Sequence, residues 1–107
     1  MILALVLLLV TSTASALEYP AGWGQPGDVA VSGDFDGDGL QDPAVYRPST
    51  GQWWILRSKD GTTCVATWGG QQGDVLVPGH WLSTTGALDL GVYRPSTGQW
   101  FVRASPC

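Results

Sequence analysis

Asparagine is absent from this 107-residue chain, so it offers no Asn-x-Ser/Thr acceptor for N-linked sugar. Basic residues are few, five against nine acidic ones, and none are clustered. The resulting net charge of −4 argues against nucleic acid or an anionic membrane surface as partner. One histidine, His80, and two cysteines give no zinc-ligand spacing. Gly-x-Ser-x-Gly and phosphate-loop signatures are also missing, and no nucleophile–base constellation is visible, so the chain reads as non-catalytic, with His80 a turn residue. Helical periodicity is lacking as well. Fifteen glycines and seven prolines punctuate the sequence, and no stretch outside the apolar N-terminus carries a 3.6-residue period. What remains is an all-β reading.

The longest apolar run, Ile2 to Val10, has nine residues, about half of what a membrane-spanning helix requires. It leads into Ala14-Ser15-Ala16, a small-x-small triplet. Residues 1–16 are therefore expected to be a secretory signal peptide cleaved after Ala16, although no Lys or Arg precedes the run. Residues 17–107 form one small domain, and export permits a disulfide. Cys64 and Cys107 can pair within the chain or between chains; spacing alone leaves both open.

The segment Asp34-Phe35-Asp36-Gly37-Asp38-Gly39-Leu40-Gln41-Asp42 carries the most chemical information. Carboxylates stand at its first, third, fifth and ninth places, Gly39 permits a tight turn at the sixth, and the Leu40 carbonyl falls at the seventh. Alternating short oxygen ligands on a tight loop suit a hard cation of calcium size. At ~5 Å and an effective dielectric of 20, each uncompensated carboxylate pair costs on the order of 3 kcal/mol. An EF-hand is excluded, because its twelfth place needs Glu and here holds Val45, and because the flanks, Val29-Ala30-Val31 and Ala44-Val45-Tyr46, read as strands rather than helices.

The chain is also a tandem duplication. Tyr46-Arg47-Pro48-Ser49-Thr50-Gly51-Gln52-Trp53 recurs letter for letter from Tyr93 to Trp100; Gly27-Asp28-Val29 matches Gly73-Asp74-Val75, and Trp23-Gly24 matches Trp68-Gly69. Repeat one spans about 23–68 and repeat two about 68–107. Strands are expected at Val29–Ser32, Pro43–Arg47, Gln52–Ser58 and Thr62–Trp68, joined by Pro-Ser-Thr-Gly and Lys-Asp-Gly turns. Trp53 and Ile55 face one way and Trp54 and Leu56 the other, so both faces of this sheet need covering. Four short antiparallel strands per repeat form a propeller-type blade. The second copy keeps only Asp89 of the acidic loop and ends before a fourth strand of its own; Leu17–Trp23 is the candidate to complete it.

The acidic loop, Asp42-Pro43-Ala44-Val45-Tyr46 after it, and the twice-used Tyr-Arg-Pro-Ser-Thr-Gly-Gln-Trp resemble the FG-GAP/VCBS-type repeats of bacterial secreted and surface proteins, similar to the calcium-loop blades of the integrin α-chain propeller. The resemblance implies two four-stranded β-propeller blades, a calcium ion held by Asp34, Asp36, Asp38, the Leu40 carbonyl and Asp42, and a role in extracellular adhesion or ligand binding. Two blades cannot close a ring of four to eight. The chain is then part of a longer propeller, or copies of it assemble as a homo-oligomer. Alternatives are a lectin-like carbohydrate-binding propeller or a non-catalytic piece of a larger secreted hydrolase. Trp54, Trp81, Arg47 and Arg94 are candidate contacts for a protein or glycan ligand, with blade packing the competing role for the tryptophans and carboxylate pairing or Trp stacking for the arginines.

Overall fold

A computed structural model describes residues 23–82, 84 and 86–107. The expected signal peptide and most of Leu17–Trp23 lie outside the described residues. Among the described residues, seven strands form two antiparallel sheets. The first is a four-stranded meander of β1 (Val29–Ala30), β2 (Ala44–Arg47), β3 (Gln52–Leu56) and β4 (Thr63–Thr67). The second contains β5 (Val75–Leu76), β6 (Leu90–Arg94) and β7 (Gln99–Arg103). Two four-stranded blades were the expectation; among the described residues the second sheet has three strands, and the two sheets do not close into a ring. No helix among the described residues is long and apolar enough to cross a membrane.

The strands lie where the turn chemistry puts them, with edges trimmed by one or two residues. Ser32 drops out because β1 stops at Ala30, although pairing continues through Val31 N–H to the Ala44 carbonyl and an isolated Gly33–Asp42 bridge. The two identical turns close identically. The N–H groups of Thr50 and Gly51 donate to the Arg47 carbonyl at 3.1 and 2.8 Å, and those of Thr97 and Gly98 to Arg94 at the same distances. Gly51 has φ +71°, and a Cβ there would lie 2.9 Å from the Gly69 carbonyl oxygen, so both conformation and space demand glycine.

Register decides which side chains meet. Ala44 faces Ile55, Tyr46 faces Trp53, and Trp53 faces Ala66, placing all five on one side of the first sheet. That side packs on Leu90 and Val92 of the second sheet, and with Phe35 these residues form one core spanning both sheets. Phe35, Trp53, Ile55, Leu90 and Val92 are fully buried. Trp53 meets Phe35 and Tyr46 edge-to-face, with ring centroids 6.2 and 5.6 Å apart, and its indole N–H donates to the Trp68 carbonyl at 3.0 Å. Cross-sheet bonds add direction: Leu88 N–H to the Asp34 carbonyl, the Ser105 hydroxyl to the Phe35 carbonyl, and the Trp68 indole to the Phe101 carbonyl. Cys64 on β4 and Cys107 form a disulfide within the chain, with Cα atoms 6.0 Å apart, which settles the open choice between intrachain and interchain pairing.

Candidate metal centre

The acidic loop joins β1 to β2 at the end of the first sheet where the Ser58–Gly61 turn also lies. The carboxylates converge rather than splay. Asp34, Asp36 and Asp42 each place an oxygen so that all three lie within 4.8 Å of one another. Asp38 stands outside this trio, and Leu40 is 63% exposed beside it. Asp38 accepts from the Leu40 N–H at 2.9 Å and from the Ser58 hydroxyl at 2.7 Å.

Backbone donors hold each carboxylate in place. Asp34 accepts from Gly37 and Gly39 N–H, bending the loop around its side chain. Asp36 accepts from Asp38 and Lys59 N–H. A carboxylate has about four lone-pair positions, so two N–H bonds leave acceptor capacity for a cation.

Electrostatics mark Asp36 as the strained member. Burial, its contact with Asp38 and the charge of Asp42 raise its pKa to about 6, against the stabilising N–H bonds from Asp38 and Lys59. Burial also opposes ionisation of Asp38, but the Leu40 N–H, the Ser58 hydroxyl and the hydrogen bond from Asp36 outweigh it and lower its pKa. Of the two acids, Asp36 is therefore the one that takes up a proton first as pH falls.

Asp42 does more than face the cluster. It is fully buried and takes three backbone N–H bonds: Phe35 at 2.7 Å and Asp36 at 3.1 Å on Oδ2, and Ser58 at 2.7 Å on Oδ1. The second repeat has the same knot. Asp89, also fully buried, accepts from Trp81 and Leu82 on Oδ2 and from Ser105 on Oδ1. Trp81, Leu82 and Ser105 occupy the places of Phe35, Asp36 and Ser58. The sequence holds a signal for this role that a metal-centred reading overlooks: the ninth-place Asp and its Ser survive together where the other acids are gone.

The remaining candidates are not brought to one place. Arg47 makes a two-pronged ion pair with Asp28, 3.0 Å at each contact, and lies 5.0 Å over the Trp54 ring. Arg94 pairs the same way with Asp74 and lies 4.5 Å over Phe101. Both arginines therefore have the carboxylate and aromatic partners that their positions allowed. Trp54 is half-buried on the outer side of the first sheet, whereas Trp81 sits on the outer side of the second, beside Trp100 at 5.8 Å. At the end away from the acidic loop, a groove of about 710 Å³ runs between the two first strands, bordered by Val29, Tyr46, Pro48, Gln71 and Leu76. No protein-family model, curated protein or solved structure matches this chain.

Proposed function

We propose that this chain is a secreted, calcium-stabilised repeat module of propeller-blade type that serves extracellular adhesion or ligand binding and carries no catalysis of its own. The convergence of Asp34, Asp36 and Asp42 within 4.8 Å supports the cation most directly. Hard oxygen donors on a glycine-bent loop select calcium or magnesium over softer metals, and a flexible cage favours calcium. Asp38 and the Leu40 carbonyl are the further ligands in this reading. The Cys64–Cys107 disulfide suits an oxidising compartment, which agrees with export. Two repeats stacked through a shared apolar core agree with neighbouring blades of a propeller.

Calcium at millimolar concentration is expected to stabilise the chain by about 1 kcal/mol, a rise in Tm of roughly 4–8 °C. Scanning calorimetry with and without calcium reads this directly. Asp36→Asn should abolish the increment; an undiminished calcium response in that variant would rule out the assigned site. The response also has a pH sign. The folded-state pKa of Asp36, about 6, lies above the ordinary 3.8, so without a cation its ionisation costs stability as pH rises from about 4 through 6. Calcium reverses that penalty by displacing the proton. The increment should therefore be larger at pH 7.5 than at pH 5, and an increment of equal size at both would contradict the coupling.

A further inference from the structure

The two repeats carry the same aromatic triad, covered in one copy and open in the other. Phe35, Tyr46 and Trp53 are 0%, 3% and 0% exposed beneath the second sheet. Their matches are Trp81, Tyr93 and Trp100. These also gather around their tryptophan, tilted rather than edge-to-face, Trp100 lying 4.9 Å from Tyr93 and 5.8 Å from Trp81, yet Trp81 is 48% and Trp100 57% exposed. Val75, on the same side of the second sheet, is 46% exposed. No described residue covers this face.

What covers the first triad is also present twice. The second sheet presents Val92, Arg94 and Phe101 toward the first, with Trp68-Gly69 alongside; a Cβ on Gly69 would touch Val92, Asp74 and the Tyr46 hydroxyl. The matched set in the first repeat is Val45, Arg47 and Trp54 with Trp23-Gly24, and a Cβ on Gly24 would likewise touch Val45 and Asp28. This set lies on the outer side of the first sheet, where Trp23, Gly24, Val45, Arg47 and Trp54 surround a cavity of about 200 Å³. Its counterpart, bordered by Trp68, Gly69, Arg94 and Phe101, measures about 300 Å³.

The sheets therefore stack with unlike sides together, which leaves one outer face of each kind at opposite ends of the molecule. We propose that a second copy of this chain covers the open triad: the Val45–Arg47–Trp54 face of one molecule seats on the Trp81–Tyr93–Trp100 face of the next, repeating head to tail the interface that joins the two sheets within each chain. Such a contact is heterologous, so its repetition closes a ring or continues as a stack. The intrachain joint has a disulfide and the Ser105–Phe35 bond to lock it. The joint between chains has neither, and it is reversible on dilution. Pairing of the faces does not depend on the cation; only closure into a ring rests on the propeller reading above.

Native mass and sedimentation of the purified chain test this across dilution. A discrete multiple of the chain mass supports a closed ring and hence the pairing. Mass that climbs with concentration supports the pairing without closure. A single-chain mass at about 100 µM overturns it. Trp100→Asp and Trp54→Asp should each weaken association by about thirty-fold or more. Mixed, these two variants retain one intact face of each kind and should form a one-to-one pair. Failure of the mixture to pair, while the unaltered chain assembles, overturns the head-to-tail arrangement in favour of like faces meeting. Val75→Asp and Val65→Asp, at exposed positions on the same two sides, provide a second variant pair should either tryptophan change disturb folding.

Discussion

Asp89→Ala is expected to lower stability by about 3–5 kcal/mol without altering the response to calcium. The carboxylate is fully buried and receives N–H bonds from Trp81 at 2.9 Å and Ser105 at 3.3 Å, with a further short one from Leu82. Removing it deprives three part-buried N–H groups of a charged acceptor, and a hydrogen bond to a charged group is worth about 1.5–3 kcal/mol. Asparagine should not rescue. Its amide keeps one oxygen but turns an NH2 toward either the Trp81–Leu82 pair or Ser105, opposing donor to donor. Asp42→Ala should cost as much for the same reason, through Phe35, Asp36 and Ser58, and should abolish the calcium increment too. Urea unfolding of both variants, with and without calcium, separates the two roles. A loss below about 1 kcal/mol in Asp89→Ala would show that the knot is dispensable.

Reduction of the Cys64–Cys107 bond is the second large effect. The bridge spans 43 residues, and closing a loop of that length in the unfolded chain is worth about 4 kcal/mol in the chain-entropy model. Domains of this size hold only about 5–15 kcal/mol in total, so the bond represents a substantial share of the whole. It joins the fourth strand of the first sheet to the segment beyond the last strand of the second, where Arg57 also donates to the Cys107 carbonyl. Its loss should therefore loosen the contact between sheets before the sheets themselves. The Cys64→Ser, Cys107→Ser double variant should show a strongly lowered urea midpoint. A midpoint within about 1 kcal/mol of the unaltered chain would mean that the apolar core alone fixes the two sheets.

Much of this was legible from residue order because the turns are chemically explicit. Pro48 to Gly51 and its copy at Pro95 to Gly98 announce hairpins, and every strand of the first sheet lies within its expected span. Alternation announced the convergence of Asp34 and Asp36 with Asp42, but not that Asp38 stands outside the group. Three things were hidden. Trp53-Trp54-Ile55-Leu56 is apolar on both sides, so alternation alone does not say which side meets the second sheet; burial of Trp53 and Ile55 decides it. Residue order also does not reveal that a carboxylate in a metal-like series spends its lone pairs on peptide N–H groups. The metal reading assigned Asp42 to a cation alone, whereas the fold has it accept three peptide N–H groups. For Arg47 and Arg94, residue order left carboxylate pairing, Trp stacking and a ligand role open; the fold sets Asp28 and Asp74, 19 and 20 residues upstream, against them.

The buried aspartate knot separates two properties that usually travel together. Because Asp89 ties its loop through main-chain donors in a repeat that lacks the other acids, the loop's shape does not require the full acidic series. Ion dependence can thus drift in or out of individual repeats during duplication while the architecture is inherited intact, so the number of ions in a tandem array and the number of its repeats are free to diverge.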